Sequence, residues 1–472
     1  MQFWKRHKIQ FLLVFFSILF YWSFAYDLLR TDYIKLIGLY AVLFFLFYKI
    51  IQLNKNNLKL LTWFAFVFRA VFILAIPNLS QDFYRFIWDG RMILEGFNPY
   101  LYTPNLFISL NDFPVYQAKE LHDGMGILSA SHFTNYPPIN QLCFAIANLF
   151  PGKSILSSVI GLRLIIIAAD FGTLYFGKKL LESLKLPAEN IFWYILNPFI
   201  IIELTGNLHF EGVMIFFLVW SLYLLHSRKW QLAAVVFACS VSIKLIPLLF
   251  LPLFWQWFIT KRYYNEMLKQ VQHDEKKYLL AKKEISVFEG ITKLIFFYII
   301  VGLTNIILFL PFYSSEFINN YAETVGLWFQ NFEFNASFYY LAREVGYLFR
   351  GYNEIAIIGK YTAILVFLFV VAITFIRKNK SMIQLITAML LVLSFYYFTA
   401  TTVHPWYITT LLFLSIFTNY KFPLIWSFII VLSYLAYTNS DNTENLWIIA
   451  FEYLVVFTVF LQDLLKNKAV EN

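Results

Sequence analysis

A short polar segment, residues 80–104, holds the residue types best suited to acid–base chemistry. It follows directly on an apolar run in a chain of which only 14% is charged. A helix over 82–95 would place Asp82, Arg85 and Asp89 at i, i+3 and i+7, on one face. A carboxylate partly desolvated near a membrane has a raised pKa and can take a proton from an attacking hydroxyl group. Asp82 is therefore the candidate general base, with a helix cap or an ion pair to Arg85 as its structural alternative. Arg85 and Asp89 are candidate substrate-binding residues, and Asp89 would hold either Arg85 or an acceptor.

Two further polar groups interrupt apolar runs. Asn-Leu-His-Phe-Glu (207–211) places the imidazole of His209 and the carboxylate of Glu211 between two apolar segments. These side chains would diverge on a regular helix, so substrate binding by both requires an irregular turn, and helix capping by Glu211 is the alternative. Lys244 lies deep in an apolar run, where a charge is costly and usually functional. It is predicted to bind a phosphate group, or else to extend its ammonium group to the membrane surface.

Three more candidates stand at turns between apolar segments. His404, in His-Pro-Trp-Tyr, is predicted to hydrogen-bond a phosphate, and Tyr136 lies in an Asn-Tyr-Pro-Pro turn. Arg343 is either a second phosphate clamp, through its forked guanidinium, or a surface charge. The sequence predicts no metal site, because no third ligand stands near His209 and Glu211. A divalent cation stays open only if the fold gathers Asp82, Asp89 and Glu211.

The composition indicates an all-α polytopic membrane protein. The chain is 60% hydrophobic and 21% aromatic, whereas soluble domains are about 45–50% apolar. A net charge of +9 could indicate nucleic acid binding. Here the Lys and Arg residues cluster between apolar segments, which the positive-inside rule explains without nucleic acid. The two cysteines lie in apolar runs and indicate no disulfide framework.

The apolar segments predict one transmembrane domain over residues 1–472, with about fourteen crossings. Residues 230–259 are too long for one straight span and contain Lys244 and Pro247, so they predict two short helices that meet on the outer side. Residues 137–151 are short and bounded by prolines, and predict a half-inserted or surface helix. The positive-inside rule then places a large loop, 78–136, outside and a charged insert, 260–290, in the cytoplasm. The candidate site residues converge on the outer face, which favours a single site.

Nucleotide and cofactor motifs are missing from the sequence. It contains no P-loop, no Gly-x-Gly-x-x-Gly before a helix, no His-Glu-x-x-His and no Cys-x-x-Cys. An outward-facing site would also have no access to cytoplasmic nucleotides. The sequence therefore disfavours an energy-coupled pump and a nucleotide-sugar enzyme, and no cofactor is expected.

An ordered set of motifs resembles the multi-pass GT-C glycosyltransferases, and most closely the bacterial mannosyltransferases that depend on polyprenyl-phosphate mannose. The resemblance runs from about residue 60 to 410. The motifs are Asp-Phe-Tyr-Arg-Phe-Ile-Trp-Asp-Gly (82–90), Gly-Phe-Asn-Pro-Tyr (96–100), Asn-Tyr-Pro-Pro (135–138), Asn-Pro-Phe (197–199), Asn-Leu-His-Phe-Glu (207–211), Ser-Ile-Lys-Leu-Ile-Pro (242–247) and His-Pro-Trp-Tyr (404–407).

The resemblance implies inverting transfer of a hexose, expected to be mannose, from a polyprenyl-phosphate donor to a hydroxyl of a lipid-linked or glycan acceptor. The enzyme would lie in the inner (plasma) membrane among membrane lipids, with its site facing the periplasm or exterior. Asp82 would be the base, and Lys244, Arg343 and His404 would contact the donor phosphate. His209 and Glu211 would line the sugar or acceptor pocket. The alternatives are a ligase or polymerase of lipid-linked glycans, and a polysaccharide or lipid flippase.

Overall fold

The fold is described from a computed structural model, which covers residues 8–260, 287–330, 332–439 and 443–471. Helices are numbered in chain order. Most of the predicted insert 260–290 lies outside these ranges. The first three helices are strongly apolar: α1 (Lys8–Tyr26), α2 (Tyr33–Asn54) and α3 (Leu58–Ala70). Asp32 and Asn57 begin α2 and α3, where their side chains accept hydrogen bonds from backbone N–H groups of the first turn.

Four short helices fill the region that the sequence predicts as an outer loop and a surface piece. They are α4 (Asp82–Leu94), α5 (Pro104–Ser109), α6 (Ala118–Ser131) and α7 (Pro138–Asn148). α4 packs between α6 and α7. With 11 residues, α7 is about 16 Å long, well short of a hydrocarbon core of about 30 Å. Its length agrees with the half-inserted or surface helix predicted for residues 137–151.

The next group of helices contains a sharp break. α8 (Ile155–Ser183) leads to α9 (Phe192–Ile195) and α10 (Pro198–Ile200), and α10 continues as a π-helical turn over Ile201–Gly206. The chain then bends by 113° before α11 (Glu211–His226). Leu208, with φ +64°, lies in the left-handed region inside this bend. His209 and Glu211 therefore stand at a broken helix and not on a continuous one.

The run from Trp230 to Ile259 forms two short helical pieces, as the sequence predicts. α12 (Trp230–Val241) ends before Lys244, and a 3₁₀ segment (Ile246–Leu253) leads into α13 (Phe254–Ile259). Pro247 lies in the first turn of the 3₁₀ segment, where its missing N–H group costs no hydrogen bond. α14 (Val287–Phe309) then packs against α12 and α13.

The last third of the chain is also helical. It comprises α15 (Ser315–Gln330), α16 (Phe338–Arg350), α17 (Ile355–Phe375), α18 (Met382–Thr399), α19 (Thr409–Ser415), α20 (Phe422–Ile429) and α21 (Leu446–Glu471). Within the described ranges there is no β-strand, and one isolated parallel bridge joins Phe334 to Thr402. This bridge ties the segment before α16 to the segment after α18.

The protein is an all-α polytopic membrane protein. In the described part of the chain, seven helices are long and apolar enough to span a membrane, and the bent pair α10–α11 makes an eighth. The sequence predicts about fourteen crossings. The two numbers differ partly because three apolar pieces that the sequence counts as crossings form helices too short to be counted as spans. These pieces are Trp230–Val241, Ile246–Ile259 and Phe422–Thr438. Helices satisfy every backbone group internally, which is the requirement for spanning a bilayer.

The connections between helices meet in two separate groups. In one group, the amide of Asn78 donates to the carbonyls of Phe24 and Leu28 at 2.7 and 3.1 Å. There too the N–H of Leu79 contacts Asn207 Oδ1 at 3.4 Å. In the other group, the Gln256 amide donates to the carbonyls of Thr374 and Arg377, both at 2.7 Å. The first group contains the candidate site.

Candidate functional site

Asp82 is the first residue of α4 and is half-buried. Its N–H donates to Ser80 Oγ at 3.3 Å. The preceding residues, Asn78 and Leu79, are bonded to the end of α1 and to the α10–α11 break. These contacts hold the carboxylate beside the other connections of the group, at a helix N-terminus that favours negative charge.

Lys244 pairs with Glu211 across the centre of the site. The ammonium group lies 2.9 Å from Glu211 Oε1, and the two side chains are 26% and 6% exposed. The ammonium also lies 5.7 Å from the centre of the Tyr136 ring. Ser242 connects this break to the Tyr136 turn, because its carbonyl accepts from the N–H groups at the start of α7. Residues far apart in sequence are thus brought together by two helix breaks.

His209 and His404 flank Trp406 in a stack of three rings. The ring centres of His209 and Trp406 are 3.8 Å apart, and those of Trp406 and His404 are 4.5 Å apart. His404 also stacks on Phe334, with ring centres 5.0 Å apart. The α10–α11 break positions His209, and the bridge at Thr402 positions His404. The irregular turn that the sequence analysis requires for His209 and Glu211 is present.

Arg163 stabilises the break that presents His209 and Glu211. All three of its guanidinium nitrogens donate to backbone carbonyls, those of Thr205 (2.8 Å), Ile73 (3.0 Å) and Gly206 (3.0 Å). The carbonyls of Thr205 and Gly206 lie at the end of the π-helical turn, where they have no regular helical partner, and that of Ile73 lies just after α3. A fully buried arginine therefore compensates for the interrupted helix.

The charges around Asp82 have opposite effects on its pKa. Burial raises the pKa of Asp82, the positive charges of Lys244 and Arg30 lower that pKa, and the negative charge of Glu211 raises it. Burial, together with the charges of Lys244 and Arg30, lowers the pKa of His404 to about 3. His404 is therefore neutral near pH 7 and can donate one N–H. The arrangement offers a carboxylate base next to a cation and a neutral imidazole.

Four polar atoms of this cluster have no hydrogen-bond partner in the described part of the protein. They are Arg30 Nε, His209 Nε2, Glu211 Oε2 and His404 Nδ1. His209 and Glu211 are 1% and 5% exposed. Buried polar groups left unpaired cost free energy, so a ligand that bonds to these atoms would stabilise the cluster.

Arg85 and Asp89 are partnered within the protein. Arg85 Nε lies 2.8 Å from Asp89 Oδ1, and Arg85 also donates to the carbonyls of Ser129 (2.6 Å) and His132 (2.9 Å). The other oxygen of Asp89 accepts from the Gln141 amide at 3.0 Å. Arg85 thus pairs with Asp89 and not with Asp82. The charges of both act on Tyr136, and their binding of a substrate stays a prediction.

Arg343 belongs to a separate group of charges. It lies 2.6 Å from Glu333 and 3.0 Å from Glu344. Glu333 is next to Phe334, which stacks on His404, so this group borders the site without joining the cluster around Lys244. Its role as a phosphate clamp also stays a prediction. Within the described ranges, no three His, Cys, Asp or Glu side chains gather as a metal site requires.

Sequence reasoning missed Arg30, which lies in the connection between α1 and α2. Its guanidinium carbon is 3.3 Å from the centre of the Tyr437 ring. A signal was present, because a cation between the first two spans falls on the side where the positive-inside rule places few. The sequence alone does not pair residues that are so far apart in the chain.

Comparisons with known proteins match the first half of the chain to a family. A family model described as alpha-(1->6)-mannopyranosyltransferase, N-terminal domain, matches residues 25–260. This range includes Arg30, Asp82, Glu211 and Lys244.

Two curated relatives are both named alpha-(1->6)-mannopyranosyltransferase A. The protein of Corynebacterium glutamicum is 22% identical over 197 residues, which are 40% of this chain and 37% of that protein. The protein of Mycobacterium tuberculosis is 21% identical over 193 residues, 40% of this chain and 36% of that protein. The match thus spans little more than a third of each relative's length. Since the family model covers half of the chain, the protein belongs to the alpha-(1->6)-mannopyranosyltransferase family, as the resemblance to GT-C mannosyltransferases predicts.

Proposed function

We propose that this protein is an inverting mannosyltransferase. It moves a mannosyl residue from a polyprenyl-phosphate mannose donor to a hydroxyl group of a lipid-linked or glycan acceptor. The reaction takes place at the outer face of the inner (plasma) membrane, and Asp82 is the general base. The observation that carries the proposal is the half-buried carboxylate of Asp82 beside Lys244, in a cluster that contains unpaired polar atoms.

The chemistry needs a base and an anion site, and the cluster contains both kinds of group. The acceptor oxygen forms a bond to the anomeric carbon of mannose while its proton passes to the Asp82 carboxylate. The bond between that carbon and the phosphate oxygen breaks, and its electron pair leaves with the polyprenyl phosphate. Attack from the face opposite the leaving group inverts the anomeric centre. No nucleotide takes part, because the leaving group is itself a phosphate ester.

The other site residues take roles that follow from their groups. Lys244 and His404 contact the donor phosphate, where a cation and an N–H donor stabilise the charge that develops on departure. Glu211 holds the ammonium of Lys244 in place through the 2.9 Å contact. His209, stacked on Trp406, lines the sugar or acceptor pocket together with the second oxygen of Glu211.

The positive charges support the outward orientation. The connections that build the site carry Arg30 and Lys244 but no cluster of cations. At the other ends, Lys178 and Lys179 lie in the last two turns of α8. Arg228 and Lys229 follow α11, and Arg377 and Lys378 follow α17. By the positive-inside rule those ends face the cytoplasm, and the site therefore faces outward.

The test is transfer of radiolabelled mannose by purified wild-type, Asp82→Asn and Asp112→Asn proteins. Polyprenyl-phosphate mannose is the donor, and a membrane lipid extract is the acceptor. Asp112 is the matched control, an exposed carboxylate in the same outer region. Asp82→Asn is expected to lower the rate about 100- to 10,000-fold, because an amide cannot accept the proton. Asp112→Asn is expected to keep the wild-type rate.

Two results would contradict the proposal. Full activity of a correctly folded Asp82→Asn protein would remove Asp82 from the chemistry. Transfer by the wild type from a pyrophosphate-linked glycan, with none from polyprenyl-phosphate mannose, would replace the mannosyltransferase by a glycan ligase.

A further inference from the structure

Arg30 stands at the same end of the helices as Asp82. It lies between the end of α1 at Tyr26 and the start of α2 at Tyr33. The Asn78 amide bonds to Phe24 and Leu28, on the N-terminal side of Arg30, and so fixes this connection against the residues that lead into Asp82. The charge of Arg30 acts on both Asp82 and His404. Arg30 is therefore part of the site and not a remote surface charge.

No carboxylate of the protein neutralises Arg30 by an ion pair in the described ranges. The acidic residues of its own connection are used elsewhere. Asp27 pairs with Lys35 at 2.6 Å, and Asp32 accepts from the N–H of Lys35 at the start of α2. The guanidinium instead lies on the face of Tyr437, and its Nε has no hydrogen-bond partner.

Other arginines of the protein differ from Arg30 in this respect. Arg69, Arg85 and Arg163 each donate three hydrogen bonds to carboxylates or carbonyls. Those side chains are occupied in holding helices together. A guanidinium held against an aromatic ring, with its Nε unpaired, can still donate to an external anion.

The geometry of the reaction indicates that the anion bound by Arg30 is the donor phosphate. In a reactive complex the acceptor oxygen lies about 3–3.5 Å from the carbon that it attacks. That carbon is bonded to a phosphate oxygen, so the donor phosphate lies close to the general base. The cations that act on Asp82 are Lys244 and Arg30, and Lys244 is already paired with Glu211.

We propose that Arg30 binds the phosphate group of the lipid-phosphate donor, as a second cation beside Lys244. The inference rests on the mannosyltransferase function proposed above. The donor phosphate is a singly charged diester, and the departing polyprenyl phosphate is a monoester that gains a second negative charge as the glycosidic bond breaks. Lys244 is paired with Glu211, so its ammonium group alone does not neutralise that second negative charge. The fork of Arg30 supplies it in the transition state.

The kinetic test compares Arg30→Gln and Arg30→Lys with Lys35→Gln. Lys35 is the matched control, since it is a cation of the same region that is already paired with Asp27. Arg30→Gln is expected to lower kcat/KM for the donor on the order of 100-fold, with the acceptor KM unchanged. Arg30→Lys keeps the charge without the fork and should recover part of the loss. Lys35→Gln should behave as the wild type.

A binding measurement separates this inference from the proposed function. Binding of a radiolabelled polyprenyl phosphate is compared with binding of the matching polyprenol, which lacks the phosphate. Arg30→Gln should weaken binding of the phosphate and leave that of the alcohol unchanged. If the wild type transfers no mannose, the proposed function fails, and loss of phosphate binding in Arg30→Gln would still support the phosphate contact.

Three outcomes overturn the role of Arg30. The first is wild-type kinetics of Arg30→Gln in a protein that transfers mannose. The second is a change confined to the acceptor KM, which would place Arg30 on the acceptor. The third is equal weakening for the polyprenyl phosphate and the polyprenol, which would indicate a structural effect on the lipid site.

Discussion

Two ion pairs of similar length occur in different parts of the molecule. Arg69 Nε lies 2.7 Å from Asp170 Oδ2, and Lys244 Nζ lies 2.9 Å from Glu211 Oε1. In the first pair both side chains are fully buried, and Arg69 also donates to the carbonyls of Ala65 and Ile195. In the second pair Lys244 is 26% exposed. One oxygen of each carboxylate, Asp170 Oδ1 and Glu211 Oε2, has no hydrogen-bond partner in the described part of the protein. The first pair joins α3 to α8, and the second faces an open site.

Arg163 and Arg30 repeat this contrast in single residues. Arg163 is fully buried and uses all three nitrogens on backbone carbonyls, whereas Arg30 lies on Tyr437 with Nε free. Residue type therefore does not separate structural charges from functional ones in this membrane protein. What separates them is exposure, because the structural charges are fully buried whereas Lys244 and Arg30 are partly exposed. We therefore expect substitutions at the structural charges to lower the stability of the protein. Substitutions at the functional charges are expected to lower its activity.

The largest effect is expected from breaking the Arg69–Asp170 pair. Asp170→Ala leaves a buried guanidinium without its carboxylate, which costs about 3–5 kcal/mol. That is a large part of the stability of a typical protein, about 5–15 kcal/mol. Thermal unfolding in detergent, together with the yield of monodisperse protein, measures the loss. The contrast would fail if Asp170→Ala unfolded like the wild type but lost transferase activity.

The control for this prediction removes both charges. Replacing a buried pair by apolar residues of similar size is often neutral. The double variant Arg69→Met with Asp170→Leu should therefore unfold at a higher temperature than Asp170→Ala. If the double variant is as unstable as the single one, then lost packing or the lost carbonyl contacts of Arg69 cause the effect, and the charge is not responsible.

Lys244→Met is expected to have the opposite profile. Because the ammonium stands at an open site, its loss should leave thermal unfolding near that of the wild type and lower kcat about 100- to 1,000-fold. Lys229→Met is the control, since Lys229 is an exposed lysine just before the other end of α12. Loss of folded protein in Lys244→Met, with normal specific activity of the remainder, would assign Lys244 to the structural class.

Much of the fold could be predicted from the sequence because membrane segments follow simple rules. Long apolar runs and the distribution of cations identify the spans, and prolines around residues 137–151 identify a helix too short to cross. The break near Lys244 was also predictable, since a charge and a proline interrupt one apolar run. The π-helical turn before His209 was not, because its interrupted carbonyls are stabilised by Arg163 through tertiary contacts.

The site could be predicted in part, for a similar reason. Unusual polar residues in apolar surroundings indicated Asp82, Glu211, Lys244 and His404, and the structure brings these together. Local spacing could not decide whether Arg85 pairs with Asp82 or Asp89. That choice follows from the Ser129 and His132 carbonyls, which hold the guanidinium on the Asp89 side.

The smallest effect is expected in the pH dependence of kcat/KM. The base must be ionised, so the rate falls on the acidic side as pH drops through the pKa of Asp82. Lys244 and Arg30 lower that pKa, and Glu211 raises it. Arg30→Gln should therefore move the acidic limb to higher pH, and Glu211→Gln should move it to lower pH.

Opposite shifts separate an electrostatic effect on the base from a general loss of structure. Tyr136, Tyr407 and Tyr437 also lie around Asp82, but burial raises their pKa values, so they stay neutral over the acidic limb. Asp112→Asn, a change at an exposed carboxylate away from these groups, should leave the limb in place. Shifts of the same sign in Arg30→Gln and Glu211→Gln would mean that both substitutions disturb the site in a common way. The acidic limb would then not report the ionisation of Asp82, and the distinction between an open and a partnered cluster would lose its electrostatic basis.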